Sequence, residues 1–150
     1  MITEALAHSI QESVLCWLAT VGADGYPNVS PKEVFCAFGS DELLIANIAS
    51  PRSVKNLLAH PKVCVSFVHV FRQKGFKVKG TAIYLRTGDA GYTPRHDALK
   101  VIAGEAYPIK GVIAVKIERV DRILAPSYLL YPEEGEAEKI AAAKRTYGVG

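Results

Sequence analysis

The sequence has few cysteines and no long hydrophobic run. Its three cysteines include no CxxC pair, and each lies in an apolar stretch typical of a strand: Cys16, Cys36 and Cys64. This pattern predicts reduced thiols in a core rather than a disulfide framework. The apolar runs fall far short of the roughly 20 residues that cross a bilayer, and the first residues lack the basic and apolar regions of a secretory signal. We therefore expect a cytoplasmic protein that does not bind membranes.

The sequence has no large excess of charge of one sign, and it contains none of the common catalytic motifs. Eighteen basic and fifteen acidic residues give a net charge of +3, which is too small by itself to indicate a nucleic-acid-binding protein. The four histidines have no metal-ligand spacing: His8, His60, His69 and His96. No GxGxxG, Walker or GxSxG motif occurs, and no pair of carboxylates suggests an acid–base couple. We predict no metal, no nucleic acid and no catalytic side chain.

What the sequence does contain indicates a single domain spanning residues 1–150. Apolar residues make up 49% and charged residues 22%, and a chain of this length buries enough surface to fold without a metal or a disulfide. Hydrophobic patterns and turn signals predict six strands, at 14–21, 27–38, 42–48, 62–71, 76–86 and 111–120. Helices are predicted at 3–12, from Ser50 to Pro61, at 93–104 and at 133–147. Short connections favour antiparallel pairing, so we expect a mainly β fold (α+β by content), a small barrel with peripheral helices.

Some residues of these elements carry more specific expectations. Trp17 lies in the middle of an apolar strand and is predicted to be in the core, and Val54, Leu57 and Leu58 are predicted to form the buried face of their helix. Pro31 lies inside the second strand and cannot donate a backbone hydrogen bond there. That strand must therefore be an edge strand, or be bulged or opened, at this point.

The most informative segment joins the third strand to a helix. Its residues are Ala46, Asn47, Ile48, Ala49, Ser50, Pro51, Arg52 and Ser53. Ser50 is a good N-cap and Pro51 suits the first helical position. The first backbone N–H groups of a helix are unpaired, and Arg52 and Ser53 add a cation and a hydroxyl beside them, which makes a competent site for phosphate or carboxylate. A capped helix with a solvated arginine is the other interpretation.

A second candidate segment surrounds the proline of the second strand. It runs Asn28, Val29, Ser30, Pro31, Lys32, Glu33 and places polar side chains in an otherwise apolar strand. These groups could bind the polar edge of a planar ligand. They equally fit a solvent-facing edge strand whose charges prevent aggregation.

A third segment is a basic hairpin from Arg72 to Gly80, with a tight turn predicted around Gln73, Lys74 and Gly75. Alternation places Lys77, Lys79 and Thr81 on one face of the following strand. Such a hairpin could bind a phosphate or a nucleic-acid backbone, or serve only solubility.

These three segments, in this order, resemble the FMN-binding split-barrel superfamily of pyridoxamine 5′-phosphate oxidase-like proteins. The resemblance covers about 12–125 and rests on CWLATVGADGYPNVSP, ANIASPRSVKNLLAHPKVCVSF and FKVKGTA. It implies a six-stranded antiparallel split β-barrel with peripheral helices that forms a homodimer and holds FMN at the subunit interface. The small FMN-binding proteins of the superfamily look closer than the full oxidases.

The resemblance also implies which residues bind the cofactor. Arg52 and Ser53 would grip the FMN phosphate, and Ala46, Asn47 and Ile48 would contact the ribityl chain or ring edge. Ser30, Pro31, Lys32 and Glu33 would line the isoalloxazine, and Gln73, Lys74 and Gly75 match the turn that reaches the flavin in relatives. Lys32 or Lys74 near the ring would stabilise reduced anionic flavin.

One departure bears on the reaction. The full oxidases have Arg-Lys as their phosphate pair, whereas here the second residue is Ser53, and their basic substrate-binding residues have no match. The sequence thus argues against oxidation of pyridoxamine 5′-phosphate itself. We expect an FMN-dependent oxidoreductase or electron carrier with an unknown small-molecule substrate, in which the cofactor performs the redox chemistry. The alternative is a non-catalytic protein on the same barrel that stores flavin or binds haem or a deazaflavin.

Overall fold

The computed structural model of the protein describes residues 1–150. Its seven strands are β1 Cys16–Val21, β2 Pro27–Lys32, β3 Phe35–Phe38, β4 Glu42–Asn47, β5 Lys62–His69, β6 Lys74–Leu85 and β7 Gly111–Leu124. Its five helices are α1 Glu4–Glu12, α2 Pro51–Ala59, α3 Tyr92–Ala103, α4 Ser127–Leu130 and α5 Glu136–Thr146. No helix is both long and apolar enough to span a bilayer.

All seven strands form one antiparallel sheet in the order β2-β1-β5-β6-β7-β4-β3. The sheet curls into a half-barrel, so the expected mainly β split barrel with peripheral helices is confirmed. The two edge strands, β2 and β3, are consecutive in the chain and are separated only by Glu33 and Val34. The chain therefore crosses from one edge of the sheet to the other in two residues.

This crossing corrects the strand predicted at 27–38, which is two strands rather than one and raises the number from six to seven. The first part pairs with β1, where Pro31 lies opposite Trp17, and the second part pairs with β4. β2 is an edge strand, as the position of Pro31 predicted.

Two apolar clusters hold the elements together. The larger fills the inside of the half-barrel, with side chains from α1 and α2 packed between the strands, such as Leu6, Leu57, Val65 and Ile113. The smaller lies on the outer face, where α3 covers β4 and β7 through Leu99 and its neighbours. The three cysteines are unpaired thiols in strands, but only Cys16 lies in the core as predicted, whereas Cys36 and Cys64 are partly exposed. Burial raises the pKa of Cys16 to about 12 and that of Cys36 to about 11.

Two predicted core residues lie outside the core. Trp17 is 45% exposed, because alternation along β1 turns it outward while Cys16 and Leu18 point into the half-barrel. Leu58 is exposed on α2, whereas Val54 and Leu57 are buried as expected.

The hairpin turn predicted at Gln73, Lys74 and Gly75 comes earlier, at Val70 to Gln73, and Lys74 and Gly75 belong to β6. Gly75 signals a close approach rather than a turn, because a side chain there would overlap the carbonyl group of Phe67 on β5.

Candidate functional site

The start of α2 is held in place by Asn47, the last residue of β4. The Asn47 side chain accepts a hydrogen bond from the Ser50 backbone N–H at 2.9 Å and donates one to the Tyr84 hydroxyl at 2.8 Å. Ser50 occupies the N-cap position, but its own side chain makes no capping bond. The side chain of Asn47 therefore fixes the turn from strand to helix, a role that the residue pattern did not predict.

The first turn of α2 presents positive charge and unpaired donors. Arg52 is exposed and forms no ion pair, and the backbone N–H groups of Arg52 and Ser53 have no acceptor in the chain. At a helix start such N–H groups and the helix dipole favour an anion. The start of α2 therefore offers the cation and the free N–H donors that the sequence predicted for binding an anion.

Ser53 differs from its neighbour, because its side chain is 2% exposed and turns toward β2. The Ser53 and Ser30 hydroxyl oxygens lie 3.2 Å apart and share a hydrogen bond. The Lys32 ammonium in turn donates to the Ser30 hydroxyl at 2.6 Å. A chain of three polar side chains thus links the second candidate segment to the helix start.

Lys32 is buried, and this burial lowers the pKa of its ammonium, although the neighbouring Cys16 partly opposes the shift. A buried ammonium with one hydrogen-bond acceptor retains donors for a ligand. It is the natural partner for negative charge at this position.

A cavity of about 230 Å³ opens between the end of β2 and the turn into α2; we call it the β2–α2 cavity. It is lined by Pro31, Lys32, Glu33, Val34, Ala46, Ile48, Ala49, Ser50 and Tyr107. The structure therefore brings five of the candidate residues together at one opening, although they come from segments about 15 residues apart. Sequence reasoning missed Tyr107, which lies in the loop before β7 and carries no motif.

The hairpin residues lie elsewhere. Lys74 and Gly75 line a different cavity, of about 390 Å³, with α1 and Tyr128. The Lys74 ammonium donates to the Glu136 carboxylate at 2.7 Å and lies over the ring of Tyr128. This contact lowers the pKa of Glu136. The charge of Lys74 is thus balanced by α5 within the same chain, and Gln73, Lys74 and Gly75 do not line the β2–α2 cavity.

Comparisons with known proteins bear on this arrangement. A family model described as pyridoxamine 5′-phosphate oxidase matches residues 2–123. HupZ of Group A Streptococcus has a similar fold, with a TM-score of 0.71 at 24% identity over 83% of this chain and 96% of that one. A putative pyridoxamine 5′-phosphate oxidase of Lactobacillus delbrueckii has a TM-score of 0.63 at 27% identity over 80% of this chain and 93% of that one. An FMN-binding protein of Syntrophomonas wolfei has a TM-score of 0.68 at 17% identity over 81% of this chain and 86% of that one. No curated protein matches by sequence.

Proposed function

The chain belongs to the pyridoxamine 5′-phosphate oxidase family, and from this premise we propose that it is a flavoprotein that binds FMN in the β2–α2 cavity, called the flavin cavity from here on. The observation that carries the proposal is that two features adjoin at the turn into α2. Ser50 lines the cavity, and Arg52 follows two residues later and lines the cavity on the other side of this turn. The first turn of α2 supplies an unpaired arginine and free N–H groups, and the edge of β2 beside it supplies Lys32 and backbone groups next to Pro31. The helix start suits an anionic group, and the edge of β2 suits the polar edge of a planar ring.

The residues present fit FMN in their chemistry. Arg52 and the N–H groups at the start of α2 would hold the phosphate, with bidentate geometry available from the guanidinium. The apolar walls formed by Val34, Ala46 and Ile48 suit an aromatic ring. Lys32 would place positive charge where the ring gains negative charge on reduction. Bound FMN supplies electron transfer, while the chain supplies binding and electrostatics.

The size of the flavin cavity supports a second subunit. Its volume of about 230 Å³ is below the roughly 300–1,000 Å³ typical of ligand pockets, so one chain encloses only part of a flavin. The outer face of β2 and β1 exposes Trp17 and Val29, an apolar surface that suits a partner. We infer a homodimer in which the partner completes the site.

Ser53 supports a function other than oxidation of pyridoxamine 5′-phosphate. Its buried hydroxyl is bonded to Ser30 rather than presented to a ligand, so the helix start offers one cation where the full oxidases have two. The proposed activity is that of an FMN-dependent oxidoreductase or electron carrier. Turnover distinguishes these two from flavin storage: an oxidoreductase reduces its FMN with NAD(P)H or another donor, whereas a storage protein holds FMN without turnover.

Arg52→Ala tests the proposal directly. Loss of a charge-assisted hydrogen bond to phosphate should weaken FMN binding by about 1.5–3 kcal/mol, while riboflavin, which has no phosphate, should bind nearly as before. Fluorescence titration of the apoprotein with both ligands gives the two affinities. Arg145→Ala is the matched control, because Arg145 is an exposed arginine on α5 that lines none of these cavities.

The proposal is wrong if the protein purifies without a flavin spectrum and its apo form binds FMN no more tightly than riboflavin. A Soret band that disappears on replacement of His69 or His96 would instead identify haem, and a purified deazaflavin would identify the other alternative.

A further inference from the structure

A second cavity, of about 440 Å³, lies on the other side of the α2 start, between that helix and the turn from β1 to β2. We propose that this nucleotide cavity binds the ADP part of a dinucleotide, so that the site takes two phosphates and an adenosine rather than one phosphate. The inference rests on the proposed function, because Arg52, the residue proposed to hold the FMN phosphate, lines this cavity. Ser50 lines the flavin cavity and Arg52 lines the nucleotide cavity, so the start of α2 separates them by two residues.

Two free cations line the nucleotide cavity. Arg52 and Lys55 both line it, both are exposed, and neither forms an ion pair within the chain. They are three residues apart on α2, which places their Cβ atoms about 5–6 Å apart on one face. Two free cations at this spacing suit the adjacent phosphates of a pyrophosphate.

The cavity also holds two acceptors that suit an adenosine. Asp24 accepts the backbone N–H of Tyr26 at 3.1 Å through one carboxylate oxygen, which leaves the other oxygen free at the cavity. A carboxylate in such a position accepts hydrogen bonds from ribose hydroxyls. The buried Asn56 side chain donates to the Thr20 hydroxyl at 3.0 Å, and this bond leaves the amide oxygen as an acceptor.

An aromatic ring completes the set. Tyr26 lines the cavity and is 75% exposed, although it lies in a turn whose backbone is fixed by the bond from the Gly22 N–H to the Tyr26 carbonyl. An exposed ring beside two cations is a stacking platform for a nucleobase. Phosphate, sugar and base therefore each have a partner of suitable chemistry around one cavity.

The ADP part could belong to either of two dinucleotides. In FAD it would be covalently attached to the flavin in the neighbouring cavity, and in a pyridine dinucleotide it would anchor a separate electron donor beside bound FMN. Both ligands present the same pyrophosphate and adenosine to Arg52, Lys55 and Tyr26, so the two cases differ only in whether FMN and ADP bind as one molecule.

Titration with ADP, FMN and FAD tests the assignment in three variants of the cavity and one control variant. Lys55→Gln and Tyr26→Ala should each weaken ADP binding about ten-fold, while FMN affinity changes less than two-fold. Tyr26→Phe keeps the ring and should keep ADP affinity. Arg145→Gln, which also removes an exposed charge, should change nothing. All of these side chains are exposed, so the variants should fold.

The outcomes separate the sources and the two proposals. If FAD binds at least ten-fold more tightly than FMN, and Lys55→Gln removes that advantage, the ligand is the dinucleotide flavin. If ADP binds equally well to the FMN-loaded protein and FAD has no advantage, the ligand is a separate pyridine dinucleotide. Absence of ADP binding at millimolar concentration, or ADP binding that neither variant weakens, overturns the inference while leaving FMN binding intact. An FMN affinity no better than that of riboflavin overturns the proposed function instead, whatever ADP does.

Discussion

At the scale of single residues, Lys32 shows a conflict between stability and binding. The residue is 9% exposed on the inner side of β2, and the Ser30 hydroxyl is the only hydrogen-bond acceptor of its ammonium. A charged group in this position loses hydration that one neutral acceptor does not replace. Such a cost is typical of binding sites, where a ligand supplies the missing partner.

Lys32→Met should therefore stabilise the apoprotein and weaken FMN binding. We expect the free energy of unfolding to rise by about 0.5–2 kcal/mol at pH 7, the usual range for stabilising substitutions. Urea denaturation measures the first effect and flavin titration the second. Lys110→Met, at an exposed lysine, should change neither. A Lys32→Met protein that is less stable than the wild type would contradict this account.

The pH dependence follows from the same burial. Because the pKa of Lys32 is lower in the folded state than its ordinary value of 10.5, the unfolded chain binds more protons near that pH, and the folded state gains stability as pH rises. The advantage of Lys32→Met should thus be complete below the folded-state pKa of Lys32 and shrink as pH rises from there to 10.5. An advantage that grows with pH would assign the effect to something other than the ammonium.

At the scale of elements, the long β6–β7 pair depends on one glycine. The register between these strands shifts at Lys79 and Gly80, which marks a β-bulge. A Cβ atom at Gly80 would overlap the carbonyl oxygen of Lys116 on β7. Only glycine allows the two backbones to approach this closely, and the bulge lets β7 bend around the half-barrel.

Gly80→Ala should therefore lower the free energy of unfolding by about 1–3 kcal/mol or more, the scale of an overpacked core. Thermal unfolding followed by circular dichroism measures the loss. Gly135→Ala is the control, because a Cβ atom there meets nothing within 4 Å and its backbone is extended. Equal melting temperatures for the two variants would show that the bulge tolerates a side chain.

Most elements could be predicted from the sequence, because capping residues, prolines and glycines mark their ends locally. The division of 27–38 into β2 and β3 could not, since the run from Val34 to Phe38 is as apolar as any single strand. The two halves of 27–38 pair with β1 and β4, which lie far apart in the sheet. Trp17 was placed wrongly for a related reason: both faces of β1 carry apolar side chains, so alternation alone does not identify the inner face. Likewise, Tyr107 enters the flavin cavity only through the path of its loop.

At the scale of the whole molecule, the outer face of the sheet is the proposed dimer surface. Val29→Asp places a charge on this face, where Val29 is 56% exposed and lies opposite Ala19, on the same face as Trp17. If the partner completes the site, the variant should be monomeric in sedimentation velocity and bind FMN at least ten-fold more weakly. Val101→Asp, at an 87% exposed valine on α3, is the control. A monomeric wild-type protein with full FMN affinity would contradict the dimer.

The crossing at Glu33 and Val34 limits how the molecule can move. Only two residues tie the edge strands together, so the alpha carbons of Lys32 and Phe35 can never be more than ~11 Å apart. Motions of the half-barrel therefore cannot widen the gap between β2 and β3 beyond this limit beside Glu33 and Val34, even if the two strands separate further along their lengths. Any group that enters between the two edges beside this connection must fit a gap of at most ~11 Å. The two-residue connection thus sets an upper limit on the width of the opening, whatever the rest of the sheet does.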